Sequence, residues 1–336
     1  MRRLKNIWTV IYSLFLAGFT VYILLDSFVL VREIEVVPQV GNVDFSIMDK
    51  DKNEAVNSKV ETEEPEKGFV EEPKEESDDV EEIIEQEKNA DSEPMITEWS
   101  YKDGDISVMI EKIRYKETNL YLADVKISSA QYLKTAFAEG KYGKNITALT
   151  SETASENNAI FAVNGDYYGA RNTGYVIRNG YLFRADASDR EALVIYGDGQ
   201  METIAEVEVN AEELLENGAY HVISFGPGMV SNGEIQIQEQ YETGKAATKN
   251  PRTAIGMISP LHYLFVVTDG RNDDNEGLTV RELAEFMLEC GVQYAYNLDG
   301  GGSSTMYFNG RVINNPGTNS KKTKEREVSD IVYVGK

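Results

Sequence analysis

The sequence predicts an α/β fold: a mixed β-sheet core flanked by helices, preceded by an N-terminal transmembrane helix and an acidic disordered spacer. Three observations predict it. An uncharged apolar run opens the chain, an acidic stretch with few aromatic residues follows, and short β-rich runs then alternate with helical patterns. These changes predict segment boundaries of 1–31, 32–95 and 96–336.

The N-terminal apolar run, residues 7–25, has no charged side chain and is about long enough to cross a membrane as a helix. Three basic residues within positions 2–5 precede it, so we expect the N-terminus in the cytoplasm and the rest outside the cell. A cleaved signal peptide is the alternative, but Ala17 and Gly18 lie too early in the run for its cleavage site. The sequence therefore predicts a single-pass signal anchor in the cell membrane, with the domain extracellular.

The acidic stretch carries half of the chain's charge. Between Lys50 and Met95 there are 18 Asp and Glu residues against 6 Lys and Arg, whereas the net charge of all 336 residues is −24. Such a composition buries too little apolar surface to offset the entropy of ordering, and like charges keep it extended. We predict a spacer that holds the domain off the membrane, with an acidic docking tail as the alternative. No segment carries a basic patch, so a nucleic-acid partner is not expected.

From residue 96 onward, the strand-like runs are YLADVKI, AIFAVNGDYY, ALVIYGD, HVISFG, TAIGMI, YLFVVTDG and YAYNLDG. The clearest helix begins at Thr279, which has capping-box spacing to Glu282, and ends at Gly291. Its apolar stripe includes Cys290, which we assign to the core. A second helix is predicted over residues 146–157, and the turn SPLH predicts a hairpin. This mixture of elements predicts a mixed sheet.

Three of the predicted strands end in polar, glycine-rich turns. AIFAVN runs into Gly165 and Asp166, YLFVVT into Asp269, and YAYNL into Asp299 followed by three glycines. Ligands of sheet-based folds usually bind beyond the carboxyl ends of strands, so we predict that these turns converge on one pocket. Ordinary hairpin turns are the alternative, because Asp and Gly are common turn residues. The three glycines favour close backbone approach, where successive N–H groups cradle a phosphate or oxyanion.

Several common site types are absent from the sequence. It has neither dinucleotide nor P-loop fingerprint and no nucleophile elbow, and a lone cysteine allows no intrachain disulfide. His221 and His262 lack metal-ligand spacing, so we expect both to be structural. Asp273, Asp274 and Glu276 do not match a calcium loop and indicate a solvated loop. The sequence therefore predicts no metal and no cofactor.

Five motifs carry a resemblance to a known family. VNGDYYG, FGPGMV, PRTAIGM, VTDGR and NLDGGGSSTMY occur in an order that resembles the phosphodiester glycosidase family, over residues 96–336. LDGGGSSTM, preceded by TVRELAEFMLECG, is the most specific element. The resemblance implies a glycosidase that hydrolyses sugar-1-phosphodiester linkages, here in surface glycans or polysaccharides. A non-catalytic glycan-binding or polysaccharide-assembly protein on the same fold is the alternative.

Cleavage of such a linkage at the anomeric carbon needs a carboxylate near the developing positive charge and donors for the phosphate. We predict that Asp166, Asp299 and Arg252 are catalytic, and the two carboxylate roles stay open. We expect Arg271 to be a phosphate ligand or a structural ion pair, and one of Tyr167 and Tyr168 to lie in the core. The predicted substrate-binding residues are Asn164, Tyr167, Asp269, Arg271, Gly300, Gly301, Gly302, Ser303 and Ser304.

Overall fold

The computed structural model of the protein describes residues 2–45, 93–237, 244–319 and 322–336. The chain opens with helix α1 (Arg2–Phe28), whose segment Ile7–Asp26 is long and apolar enough to cross a membrane. A signal sequence meets the same test of length and composition. None of this segment is buried against the rest of the protein, so α1 projects away from the folded domain.

The largest sheet has nine strands, and every neighbouring pair in it is antiparallel. Its longest strands follow the period-2 burial of a sheet with one face on the core: Ile106, Val108 and Ile110 are buried, and the residues between them are more exposed. In spatial order the strands are β16 (Glu234–Ile235), β15 (Gly228–Ser231), β19 (Tyr294–Asn297), β17 (Thr253–Ser259), β18 (His262–Thr268), β6 (Thr118–Ile127), β5 (Ile106–Tyr115), β4 (Ser100–Lys102) and β3 (Met95–Ile96).

Two further sheets pack around the first. The six-stranded sheet has the order β13 (Met201–Ala205), β12 (Glu191–Tyr196), β14 (Ala219–Ile223), β10 (Val176–Arg178), β11 (Tyr181–Arg184) and β2 (Gln39–Val40). The five-stranded sheet has the order β21 (Arg311–Val312), β20 (Met306–Phe308), β9 (Phe161–Asn164), β24 (Asp330–Val334) and β7 (Leu133–Phe137). The remaining strands form two pairs, β1 (Arg32–Glu33) with β8 (Gly143–Lys144), and β22 (Gly317–Asn319) with β23 (Lys322–Thr323).

The helices within the described part of the domain are short and few. They are α2 (Thr150–Glu156), α3 (Ala211–Glu216), α4 (Gly244–Ala247) and α5 (Val280–Glu289). The capping box predicted for α5 is confirmed, because Thr279 Oγ1 accepts from the Glu282 amide and the Glu282 carboxylate accepts from the Thr279 amide. Cys290 caps this helix at the edge of the core, and Gly291 follows with φ +86°.

The predicted fold class is correct only in part. The apolar N-terminal helix and the sheet-rich core are present, but the described domain is mostly β, and every described strand pairing is antiparallel. The α/β class with a mixed sheet is therefore not what forms. The physical reason is that short turns, such as the one between β17 and β18, pair successive strands directly, whereas parallel strands need long crossovers.

One core connects the three large sheets. Its largest cluster combines Val108 and Phe265 of the nine-stranded sheet, Phe161 of the five-stranded sheet and Ile195 of the six-stranded sheet, all of them fully buried. Burial of apolar surface on this scale is the dominant favourable term in folding. Val163 of β9, Ile255 of β17 and Tyr296 of β19 belong to this cluster, so the turns next to these strands have rigid supports.

Residues 29–45, which we call the N-terminal arm, follow α1 and pack on the domain. Within the arm, β1 pairs with β8 and β2 pairs with β11, and the Phe45 ring meets Tyr220 edge-on at 5.2 Å. Residues 32–45 were assigned to the spacer from sequence, but here they add strands to the domain. Residues 46–92, which hold most of the predicted spacer, lie outside the described residues. The three segment boundaries therefore stay a prediction.

Candidate active site

The NGDYYG, PRTAIG and DGGGSS turns meet at one place, and Asn164 joins them. Its amide nitrogen donates to the Asp299 carbonyl at 2.6 Å, and its amide oxygen accepts from the Thr253 hydroxyl at 2.8 Å and from the Thr305 amide at 3.3 Å. Asn164 is fully buried at the end of β9. It therefore fixes the turns relative to one another and does not face the cleft, unlike the substrate-binding role predicted for it.

Backbone contacts bring two of the turns closer still. The Gly301 amide donates to the Pro251 carbonyl at 2.8 Å, and a Cβ at Gly300 would lie 2.9 Å from that same oxygen. A side chain there would clash with the backbone, which explains why a glycine stands at this position.

An open cleft of about 1010 Å³ lies beside these turns. It is unusually cationic for so acidic a chain, since its lining includes five arginines and a lysine against three carboxylates. The charged residues that line it are Arg171, Arg190, Arg252, Arg271, Arg326, Lys245, Asp189, Asp299 and Glu327. Such a cleft attracts anions, because low-dielectric walls concentrate the field of the charges that line them.

Asp299 is the predicted carboxylate that faces this cleft. One carboxylate oxygen accepts from the Gly300 amide at 2.8 Å, and the other accepts from the Ser303 hydroxyl at 2.5 Å and from the Arg326 guanidinium at 3.1 Å. Burial raises the pKa of Asp299 above its usual value, although these donors oppose the shift. The result is a largely buried carboxylate, held rigidly at the cleft wall.

Asp166, the other predicted catalytic carboxylate, lies in a buried ion-pair network. One of its carboxylate oxygens is 2.9 Å from Arg178, which also contacts Asp330 at 2.9 Å, and all three side chains are at most 2% exposed. Asp166 also accepts from the Tyr168 amide at 2.7 Å and the Ser224 amide at 3.2 Å. It is absent from the cleft lining. The structure thus separates the two carboxylates that the sequence grouped as one pair.

Arg252 borders the cleft, but backbone carbonyls hold its guanidinium. It donates to the carbonyls of Leu278 and Thr248 at 2.9 and 2.8 Å, and to that of Lys245 at 2.9 Å. Burial, followed by repulsion from Arg271, lowers its pKa to about 10. These contacts tie Arg252 to the loop around α4, so they do not fit the bidentate phosphate contact predicted for it.

Arg271 has the exposure that Arg252 lacks. It lines the cleft, donates to Asn250 Oδ1 at 3.1 and 2.9 Å, and lies over Gly301. Asp269, two residues earlier, is buried instead: it accepts from the Asn315 amide at 2.8 Å and from its side chain at 3.1 Å. The VTDGR turn therefore supplies an arginine to the cleft, while its aspartate is structural.

The predicted N–H cradle of the GGGSS turn is largely occupied by the protein itself. The amides of Gly300, Gly301, Ser303 and Ser304 donate to Asp299 Oδ1 and to the carbonyls of Pro251, Gly300 and Gly301. Gly301–Ser303 form a short 3-10 turn, which consumes these donors locally. Gly300 and Gly301 line the cleft, whereas Gly302 and the two serines are buried and do not.

Of the predicted tyrosines and histidines, only Tyr167 lines the cleft. Tyr167 is 42% exposed and lines the cleft, whereas Tyr168 is in the core, stacked on Tyr142 at 5.4 Å. His221 is fully buried, and burial lowers its pKa to about 3, so it is neutral. His262 contacts Asp124 at 2.9 Å and does not line the cleft. Among the described residues, no group of three or more His, Cys, Asp or Glu side chains could hold a metal ion.

Sequence reasoning missed several polar residues of the cleft, including three of its five arginines and Asn297. Arg171 and Arg190 flank Phe225, with the Arg171 guanidinium 5.1 Å from the ring, and Arg326 contacts Asp299. Asn297 is buried at the end of β19, and its Oδ1 has no hydrogen-bond partner among the described residues. Asn297 lies within the quoted motif NLDGGGSSTMY and Arg171 lies two residues after VNGDYYG, but Arg190 and Arg326 carry no local signal.

Comparison with known proteins agrees with the motifs. The family model described as phosphodiester glycosidase matches residues 157–335. The SPbeta prophage-derived protein YomE of Bacillus subtilis is 31% identical over 170 residues, which are 48% of this chain and 26% of YomE. Human N-acetylglucosamine-1-phosphodiester alpha-N-acetylglucosaminidase is 28% identical over 206 residues, 56% of this chain and 40% of that enzyme. This chain thus matches less than half the length of either relative.

A solved structure shares the fold. The zebrafish N-acetylglucosamine-1-phosphodiester alpha-N-acetylglucosaminidase catalytic domain, auto-inhibited by its pro-peptide, superposes with a TM-score of 0.57 at 20% identity, covering 69% of this chain and 83% of that one. Because the family match covers more than half of the chain, this protein belongs to the phosphodiester glycosidase family.

Proposed function

We propose that the protein is a membrane-anchored hydrolase of sugar-1-phosphodiesters, with its catalytic domain outside the cell. The observation that carries this proposal is the pairing of one largely buried carboxylate, Asp299, with the exposed cations Arg271 and Arg326 in the same cleft of a phosphodiester glycosidase family member. A glycosyl phosphodiester offers the complementary charges: a phosphate for the arginines and an anomeric carbon that becomes positive as its bond breaks.

In the proposed reaction, the bond from the anomeric carbon to the phosphate oxygen breaks, and water supplies the new hydroxyl group of the sugar. The phosphate leaves with both electrons of the bond and is a good leaving group, so strong acid assistance is unnecessary. The arginines stabilise its charge. Asp299 accepts hydrogen bonds from three donors, an arrangement that suits an ionised carboxylate facing the developing positive charge.

The direct test is incubation of the full chain with a panel of synthetic sugar-1-phosphodiesters that begins with N-acetylglucosamine, the sugar in the names of the vertebrate relatives. Release of free sugar together with a phosphate monoester is the expected result. Saturable binding of the panel without release of sugar would instead support a non-catalytic glycan-binding protein.

Arg271→Ala is expected to raise the KM for a sugar-1-phosphodiester by about 10- to 100-fold, because a hydrogen bond to a charged group contributes about 1.5–3 kcal/mol. The KM for a neutral aryl glycoside of the same sugar should change little. Steady-state kinetics on both substrates measures the difference. An equal loss on both would show that Arg271 supports the cleft wall and does not bind phosphate.

The anchor proposal rests on the apolar segment of α1 and the basic residues before it. Protease added to intact cells is expected to remove the domain and leave a membrane-embedded stub, whereas a cytoplasmic marker protein stays intact. Immunoblots against both ends of the chain measure this. Protection of the domain until the cells are lysed would contradict the proposed orientation.

A further inference from the structure

The N-terminal arm joins the end of α1 directly to one rim of the cleft. Asn145, which lines the cleft, donates from its side-chain amide to the Leu30 carbonyl at 2.9 Å, and Leu30 lies only two residues beyond α1. The next strand of the arm, β1, places Arg32 opposite Lys144, the neighbour of Asn145. The Ile34 amide also donates to the Tyr142 carbonyl at 3.0 Å. The cleft rim is therefore bonded to the chain where it leaves the helix.

The segment between the apolar part of α1 and the Asn145 rim is short, which limits the distance between the membrane and the cleft. Leu30 is four positions beyond Asp26, the end of the apolar segment, and a fully extended chain of that length spans at most about 14 Å. Arg32 forms an ion pair with Asp26, which folds the arm back toward the helix end. The headgroup layer on each side of a bilayer is about 5–7 Å thick. A membrane that holds α1 thus has its headgroups close to the Asn145 rim.

The exposed side of the N-terminal arm carries apolar side chains, as expected for a segment at the membrane interface. Val29 and Val31 are 60% and 66% exposed, Ile34 is 44% exposed and Val37 is 96% exposed, so apolar side chains continue past the end of α1. Exposed apolar surface that adjoins a membrane-spanning segment is stabilised by contact with the bilayer interface. The cationic cleft beside it matches the negative charge of phosphate groups at that level.

We propose that the cleft opens at the membrane surface and that the substrate is a lipid-linked sugar-1-phosphodiester, presented at the level of the headgroups. This inference rests on the proposed function and specifies its substrate class. The anomeric carbon–oxygen bond breaks, water adds its hydroxyl to the sugar, and the lipid keeps the phosphate as a monoester. The released water proton goes to solvent or to the monoester. The arm, not the acidic segment, then sets the distance between the cleft and the bilayer.

The test uses the full chain in phosphatidylcholine vesicles and two probes. One is N-acetylglucosamine 1-phosphate esterified to hexadecanol and embedded in the vesicles, and the other is the water-soluble methyl ester. A helical insertion of four EAAAK repeats between Phe28 and Val29 lifts the domain by about 30 Å, at about 1.5 Å per residue. We expect it to lower turnover of the embedded probe at least 10-fold and to leave turnover of the methyl ester unchanged.

The matched control places the same insertion between residues 60 and 61, outside the described residues, where it leaves the docked arm intact. This control should turn over both probes like the unaltered chain. Equal turnover of the embedded probe by both insertion variants, or loss only with the insertion at residue 60, would overturn the inference while the proposed function stands. If the unaltered chain hydrolyses neither probe and no other member of the panel, the proposed function is overturned, and this inference with it.

Discussion

Asp299→Asn is expected to lower kcat on a sugar-1-phosphodiester by a factor on the order of 10²–10⁴, the range for losing a carboxylate that acts in the transition state. The substitution is nearly isosteric, and Asp299 lies at a cleft wall, so the fold should survive. It removes the negative charge that faces the anomeric carbon and places an amide beside Arg326. Steady-state kinetics, with circular dichroism as the check on folding, measures the effect.

The matched control is Asp273→Asn, which changes an exposed carboxylate outside the cleft lining. It should leave kcat unchanged. Near-normal turnover by a folded Asp299→Asn variant would show that the DGGGSS turn is only structural and that the site assignment is wrong.

The pH dependence of activity adds a second check on Asp299. Burial raises its pKa, so the carboxylate gains its proton at a higher pH than an ordinary aspartate. Because the proposed role needs the ionised form, kcat/KM is expected to fall as the pH is lowered through this raised pKa. Asp299→Asn should abolish this acidic limb. A limb that instead falls as the pH is raised through the same pKa would assign Asp299 the role of an acid.

Arg178→Met is expected to lower the free energy of unfolding at neutral pH by about 3–5 kcal/mol, the cost of breaking a buried ion pair by removing one partner. Arg178 is 2% exposed and lies between Asp166 and Asp330, so its loss leaves two buried carboxylates without a cation. Burial and the charge of Asp166 already raise the pKa of Asp330. Denaturant unfolding of the full chain in detergent measures the difference.

The exposed pair of Lys116 and Glu285, at 3.1 Å, offers the comparison, since its side chains are 38% and 39% exposed. Lys116→Met should cost at most about 1 kcal/mol, because solvent screens exposed ion pairs. A loss of similar size for both variants would contradict the assignment of Asp166, Arg178 and Asp330 to a stabilising network.

Local patterns carried much of the prediction where short-range chemistry decides the structure. The spacing of Thr279 and Glu282 predicted the start of α5, because a capping box involves only neighbouring residues. The sequence predicted that one of Tyr167 and Tyr168 lies in the core, but it did not indicate which of the two. The prediction of parallel strands, which an α/β class implies, was wrong. Strand direction depends on which strands pair, and sequence periodicity does not encode the pairing.

The sequence by itself determined the apolar helix, the strand-rich domain and the family, because all three follow from local composition and motifs. It also identified Asp299 and Arg271 as candidates for the site. Only the tertiary structure decided which of the two carboxylates, Asp166 or Asp299, faces the cleft. In the sequence both follow a strand, and both have a glycine as a direct neighbour. Asp166 lies opposite Arg178, which is brought to it by another strand, whereas Asp299 meets Arg326 at the cleft wall. These partners are 12 and 27 residues away along the chain, so tertiary packing, and not the local pattern, sets the burial and charge of each carboxylate.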